Sequence, residues 1–107
     1  FRPDLIVVSA GFDAYRGEPI TYLNATQTTY YLYGSYLLRL LSEDRIRGVV
    51  AVLEGGYDIG LRHGLRAFIE GLLGLGEKPY SVEREPPEDL RRSVARILRD
   101  YWNIEID

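Results

Sequence analysis

Two short loops of this sequence carry side chains that could take part in chemistry. The first loop, Ser9 to Pro19 (SAGFDAYRGEP), places Asp13 shortly after an apolar run, and the second, Glu54 to Gly60 (EGGYDIG), places Tyr57 after another. The Asp13 carboxylate could bind a divalent metal ion, or it could only shape its loop or cap a helix. The Tyr57 side chain could take part in catalysis, or it could only pack. Each residue taken alone leaves both interpretations open.

The apolar runs before these loops, Leu5–Ala10 and Gly48–Leu53, are typical of strands in parallel sheets, which are covered on both faces. One helical segment connects the two runs, so we predict that the strands are parallel neighbours. The carboxyl ends of such strands meet at one rim of the sheet, where ligands collect. Asp13 and Tyr57 are therefore expected to project from the same rim.

Hydrophobic periodicity predicts three helices. The first runs from Thr26, its N-cap, to about Ser42, and the second from Asp58, also a cap, to about Leu73. The third covers about 87–101, and the final residues WNIEID alternate in a way that predicts a short terminal strand. Tyrosines at helical spacing in the first helix are predicted to belong to the core and its flank: Tyr30, Tyr31, Tyr33 and Tyr36. The order β-α-β-α-α indicates an α/β fold with a parallel sheet.

Composition excludes several classes of protein. The chain has 107 residues, a net charge of -3, no cysteine and one histidine. It lacks the basic excess of a nucleic-acid-binding domain and any apolar run that could cross a membrane, so we expect a cytoplasmic location. The single histidine, His63, is predicted on the solvated face of the second helix. Because zinc hydrolases need about three protein ligands, the chain is not expected to build such a site alone.

The chain is expected to be part of a larger sheet. Two parallel strands with apolar faces need neighbouring strands, and the sequence contains no methionine, which indicates a longer polypeptide. We predict one partial domain: a core over 1–76, a polar joint over 77–86, and a terminal helix and tail over 87–107. Missing chain or a partner would complete the sheet.

Two glycine-rich segments suggest nucleotide binding only weakly. GLLGLGEKP ends a helix and lacks the Lys-Ser or Lys-Thr pair of a phosphate-binding loop. EGGYDIG follows a strand and opens a helix, but its spacing is not G-x-G-x-x-G. A nucleotide site at Gly55 and Gly56 is retained as a weaker alternative.

The two loops together resemble the histone deacetylase superfamily. PDLIVVSAGFDAYRGEPITYLNAT is similar to the C-terminal metal-ligand segment of that family, and VVAVLEGGYDIG is similar to its later LEGGYDL segment. The similarity covers most of Pro3 to Leu73, in the order found in the family. GFDA and LEGGY resemble the class II, acetylpolyamine amidohydrolase and acetoin-utilisation members.

This resemblance implies the arginase/deacetylase α/β fold and hydrolysis of an acetylated amine, of acetyl-lysine or acetylpolyamine type. It implies that Asp13 is a Zn²⁺ ligand, that Tyr57 hydrogen-bonds the substrate carbonyl and then the oxyanion, and that Gly55 and Gly56 line the acyl channel. The other zinc ligands and the tandem histidines of the family are absent from this sequence. We therefore expect the isolated chain to be inactive and its partner to be the missing N-terminal part of the same domain.

The sequence departs from the family pattern inside the first loop. Family members commonly have His at Tyr15, Asp at Glu18, and two glycines at Thr21 and Tyr22. These changes affect the shape of the loop and of any substrate pocket. The alternative to an enzyme is a non-catalytic remnant or assembly module of the same fold, which would associate, as a homo-oligomer for example, through its exposed strand edges.

Overall fold

The computed structural model describes residues 2–76 and 85–106. Two parallel strands form the sheet of this part of the chain, in a register that pairs Leu5 with Gly48 and Ala10 with Leu53. The elements are β1 (Leu5–Ala10), α1 (Gln27–Ser42), β2 (Gly48–Leu53), a π-helical segment (Leu61–Leu65) that continues into α2 (Arg66–Leu72), and α3 (Glu88–Trp102). Both predicted strands, their parallel order and the α/β fold class are confirmed.

The first helix begins where its sequence predicts. The Thr26 amide donates to Oγ1 of Thr29 at 3.4 Å, and the Thr29 amide donates to the Thr26 carbonyl at 3.1 Å. These bonds occupy amides that would otherwise lack partners in the first turn. α1 then ends at Ser42, as predicted.

The second helix begins as predicted, but its cap differs. Helical backbone begins at residue 59, and the Asp58 carbonyl accepts the Arg62 amide at 3.2 Å. The Asp58 carboxylate makes no hydrogen bond to any described residue, so its predicted role as a side-chain cap is wrong. The amide of Gly60 instead donates to Glu18 in the first loop.

α1 and α2 cross with their backbones in contact. A Cβ atom added to Gly34 would lie 2.1 Å from the Phe68 carbonyl oxygen, and one added to Gly71 would lie 2.1 Å from the Tyr31 carbonyl oxygen. Only glycine leaves room for this approach. The close crossing lets the helices cover one side of the sheet.

The core lies between β1, α1 and the second helical stretch. Phe12 is the most buried large side chain, at 1% exposure, and its ring packs against Tyr30 and Phe68 at centroid distances of 5.1 and 6.2 Å. Aromatic pairs at such distances add to the stability gained by burial. The buried core residues are Ala10, Phe12, Tyr15, Tyr30, Tyr31, Leu37, Ala67 and Phe68. Of the predicted core and flank tyrosines, Tyr30 and Tyr31 are buried and Tyr33 and Tyr36 are exposed.

The opposite face of the sheet is apolar and uncovered by the described residues. Val7 is 64% exposed, and its cross-strand neighbour Val50 is 47% exposed. Val52, which pairs with Ser9, is 48% exposed. We define the outer sheet face as Leu5, Val7, Val50 and Val52.

α3 forms within one residue of its predicted bounds, and none of its residues is buried. The predicted strand in WNIEID is wrong. Trp102 is still helical, and Asn103 adopts a left-handed conformation with φ +52°, which ends the helix while its amide donates to the Arg99 carbonyl. Residues 103–106 form no strand. Most of the predicted polar joint, residues 77–84, lies outside the described residues.

No helix in the described ranges is long and apolar enough to cross a membrane.

Candidate active site

The two loops that carry the candidate residues are hydrogen-bonded edge to edge. The Glu54 amide donates to the Ala10 carbonyl at 3.1 Å, and the Phe12 amide donates to the Gly55 carbonyl at 3.1 Å. The ladder of the parallel strands thus continues one step beyond the sheet. Asp13 and Tyr57 each follow directly on this joined segment.

Two glycines bring the second loop against Asp13. Gly56 is buried with φ +71°, and a Cβ atom there would lie 2.2 Å from the Phe12 carbonyl carbon. Gly55 has φ +150°, and a Cβ atom there would lie 3.5 Å from Oδ1 of Asp13. Because glycine has no side chain, the space in front of the Asp13 carboxylate stays open.

Asp13 is half-buried, and its backbone is fixed while its carboxylate is free. Oγ1 of Thr21 donates to the Asp13 carbonyl at 2.7 Å, which holds the loop. The carboxylate makes no hydrogen bond to a described residue. No group of three or more His, Cys, Asp or Glu within residues 2–76 and 85–106 could hold a metal ion. As donor chemistry, one free carboxylate fits a single ligand position of a zinc site, and further ligands must come from outside these ranges.

Tyr57 stands at the start of the second helical stretch with its side chain 67% exposed. It lies in a turn at residues 57–58, and its hydroxyl makes no hydrogen bond to a described residue. The phenol is therefore exposed and available as a hydrogen-bond donor.

Sequence reasoning missed the role of Glu18, which connects the two loops. Its side chain is buried, at 5% exposure, and Oε1 accepts the Gly60 amide at 2.5 Å. Its own amide donates to the Tyr15 carbonyl at 3.1 Å. The acidic residue was visible in the sequence, but its partner lies 42 residues away, so no local pattern could reveal the contact.

His63 was predicted on the solvated surface, and this is wrong. The imidazole is half-buried and stacks on the Tyr15 ring, with centroids 5.9 Å apart and planes at 22°. His63 lies in the π-helical segment, beside Gly64, whose missing side chain makes room for the Phe12 and Tyr30 rings. The His63 ring therefore packs against the first loop through Tyr15.

Tyr30 is a second buried polar residue near the loops. Its hydroxyl has no hydrogen-bond partner among the described residues. Burial raises the pKa of Tyr30 to about 12, and the negative charges of Asp13 and Glu18 add to this effect. The hydroxyl accordingly stays protonated behind the first loop.

Comparison with known proteins identifies the family. The family model described as histone deacetylase domain matches residues 1–72. The chain belongs to the histone deacetylase family. This family comprises deacetylases, which are hydrolases of the acetyl amide bond, so the resemblance found in the sequence is confirmed.

Individual relatives agree with this assignment. The chain is 36% identical to histone deacetylase 14, chloroplastic, from Arabidopsis thaliana, over 94% of this chain and 23% of the relative. The solved structure of the histone deacetylase Clr3 matches 94% of this chain and 17% of its own, at 28% identity with a TM-score of 0.68. The acetylpolyamine aminohydrolase of Burkholderia pseudomallei matches 67% of this chain and 20% of its own, at 33% identity with a TM-score of 0.54. The chain thus spans less than a quarter of each of these proteins.

Proposed function

We propose that this chain is the C-terminal part of a zinc-dependent deacetylase that hydrolyses acetylated amines, of acetyl-lysine or acetylpolyamine type. The observation that supports this proposal best is the joined pair of loops. They bring the free Asp13 carboxylate and the exposed Tyr57 phenol to one rim of the sheet, with Gly55 beside the carboxylate. That arrangement combines an oxygen ligand with a hydrogen-bond donor.

Each residue would have a distinct task in the reaction. Asp13 would hold the zinc ion, which when bound supplies the Lewis acidity that such hydrolysis requires. The Tyr57 hydroxyl would donate a hydrogen bond to the substrate carbonyl oxygen. That hydrogen bond would become stronger as negative charge develops on the oxygen. Gly55 and Gly56 would line the acyl channel with backbone that carries no side chains.

The remaining ligands and the general base would come from the missing N-terminal part of the same domain. The chain spans 23% of histone deacetylase 14 from Arabidopsis thaliana and 17% of Clr3, and the outer sheet face is apolar and uncovered within the described ranges. Further strands and helices would cover that face. On this proposal the isolated chain is inactive.

The proposal is tested on the full-length product of the gene that encodes this chain. We expect it to bind zinc and to release acetate from an acetyl-lysine peptide or an acetylpolyamine. Asp13→Asn should lower both the zinc content and the activity, whereas Asp44→Asn, at an exposed position after α1, should change neither. A full-length product without deacetylase activity would favour the non-catalytic assembly module, and unchanged zinc content in Asp13→Asn would contradict the assignment of Asp13.

A further inference from the structure

We propose that Glu18 is a positioning residue that acts through Tyr57. Its side chain would fix the beginning of the second helical stretch, which directly follows the turn that carries Tyr57. Glu18 itself would not touch the substrate. This inference rests on the function proposed above for Tyr57.

The turn that carries Tyr57 is attached to the first loop at two points, one on each side. Before the turn, the Gly55 carbonyl accepts the Phe12 amide at 3.1 Å. After it, the Gly60 amide donates to Oε1 of Glu18 at 2.5 Å. The first attachment is backbone to backbone and persists with any side chain. The second depends on one carboxylate.

A buried carboxylate is costly unless it is compensated, and the described surroundings of Glu18 contain no ion-pair partner. The compensation comes from the Gly60 amide, which lies in the first turn of the helical stretch that begins at residue 59. Amides in a first helical turn have no partner within the helix, and the helix dipole favours negative charge at that end. The bond is therefore charge-assisted, and it fixes the carboxylate and the helix start relative to each other.

The absence of a side chain at Gly60 also permits this attachment. A Cβ atom there would lie 2.2 Å from the Phe12 carbonyl oxygen and 2.9 Å from Oε1 of Glu18. The start of the helical stretch thus packs directly against the first loop. Removal of the Glu18 carboxylate would leave a void at this contact, and the Gly60 amide would lose its hydrogen-bond acceptor.

Tyr57 depends on these attachments because, within residues 2–76 and 85–106, no hydrogen bond holds its side chain in place. Its side chain is 67% exposed and makes no hydrogen bond to a described residue. The direction of its hydroxyl is therefore set by the backbone between Gly55 and Gly60. A displacement of about 1 Å of a catalytic group can cost roughly 100-fold in rate.

A double-mutant cycle in the full-length gene product tests the proposal. Glu18→Ala, Glu18→Asp and Glu18→Gln are made in the wild type and in Tyr57→Phe, and kcat and KM are measured with an acetyl-lysine peptide. We expect Glu18→Ala to lower kcat by about 10- to 100-fold with little change in KM or zinc content. In the Tyr57→Phe background the same change should cost less than about 3-fold, because the group being positioned is already gone. Glu18→Asp, which keeps a carboxylate, should retain more activity than Glu18→Ala.

Equal losses of kcat in the two backgrounds would overturn the proposal, since Glu18 would then act independently of Tyr57. A loss of zinc in Glu18→Ala would overturn it as well, because the effect would pass through Asp13. An unchanged kcat in Glu18→Ala would show that the contact has no positioning role.

Hydrogen exchange separates this proposal from the proposed function. The Gly60 amide should exchange faster in Glu18→Ala than in the wild type, and at the wild-type rate in Glu43→Ala, which removes an exposed carboxylate at the end of α1. Unchanged exchange in Glu18→Ala overturns the positioning proposal even if the enzyme is active. Full activity of Tyr57→Phe, by contrast, contradicts the function proposed for Tyr57, and the exchange result still decides whether Glu18 holds Gly60.

Discussion

The backbone of Gly56 lies directly against the peptide group of Asp13, so that a Cβ atom on Gly56 would come within 2.4 Å of the Asp13 nitrogen. Gly56 also has φ +71°, a conformation that residues with a side chain rarely adopt. Two independent constraints therefore select glycine at this position. The candidate metal ligand and the Tyr57 loop are joined through a backbone contact that no side chain could replace.

Gly56→Ala should destabilise the full-length protein by about 2–4 kcal/mol, the sum of backbone strain and of overpacking against the first loop. The matched control is Gly76→Ala, where φ is +86° but no atom lies within 4 Å of the added Cβ. That change should cost only the strain of the left-handed conformation, about 1 kcal/mol. Urea denaturation compares the two variants. Equal losses of stability would show that the contact with Asp13 contributes nothing.

Tyr57→Phe should lower kcat by roughly 100- to 1,000-fold, as expected when one donor to an oxyanion is removed. Zinc content and the urea midpoint should stay at their wild-type values, because the hydroxyl is exposed and makes no hydrogen bond to a described residue. Tyr101→Phe, at an 81% exposed position on α3, is the control for removal of a phenol. A fall in stability without a fall in kcat would assign Tyr57 a structural role instead.

The elements that were predicted correctly depend on local sequence. Continuous apolar runs predicted both strands, and Thr26 marked the start of α1. The second cap was misassigned, because Asp58 has the usual residue type at the usual place while Glu18, 42 residues earlier in the chain, makes the bond. A tertiary contact overrode the local preference there.

The placement of the candidate site was predictable from topology, and its details were not. Parallel neighbouring strands end at one rim, so Asp13 and Tyr57 could be assigned to that rim from the order of elements. His63, which stacks on Tyr15, lies in a π-helical segment, and periodicity does not reveal such a segment. The terminal strand failed because alternation alone cannot supply a neighbouring strand to pair with.

Gly71→Ala should destabilise the protein, against the usual effect of this substitution. In an ordinary helix interior, Gly→Ala stabilises by about 1 kcal/mol through helix propensity. Here the added methyl would lie 2.1 Å from the Tyr31 carbonyl oxygen, so α1 and α2 would have to separate, and we expect a loss of about 3 kcal/mol. Ser93→Ala on exposed α3 should change stability by less than about 0.5 kcal/mol. A stabilised Gly71→Ala variant, measured by urea denaturation, would contradict the close crossing of the helices.

Tyr30 should make stability depend on pH in the alkaline range. Its pKa is raised from 10.0 to about 12 in the folded protein, mainly by burial, so the folded state keeps the proton that the unfolded state loses. The contribution is fully present below pH 10.0, and it is lost as the pH rises towards 12. Tyr30→Phe should remove this part of the alkaline loss, and at neutral pH it should be neutral or slightly stabilising, because the buried hydroxyl has no partner among the described residues.

The measurement is the free energy of urea unfolding between pH 8 and pH 11, compared for the wild type, Tyr30→Phe and Tyr33→Phe. Tyr33 lies on the same helix but is 64% exposed, so its removal should leave the alkaline slope unchanged. Since the unfolded state binds fewer protons than the folded state in this range, the wild-type slope must be steeper than that of Tyr30→Phe. Identical slopes for all three proteins would show that the Tyr30 hydroxyl does not titrate differently in the folded and unfolded states.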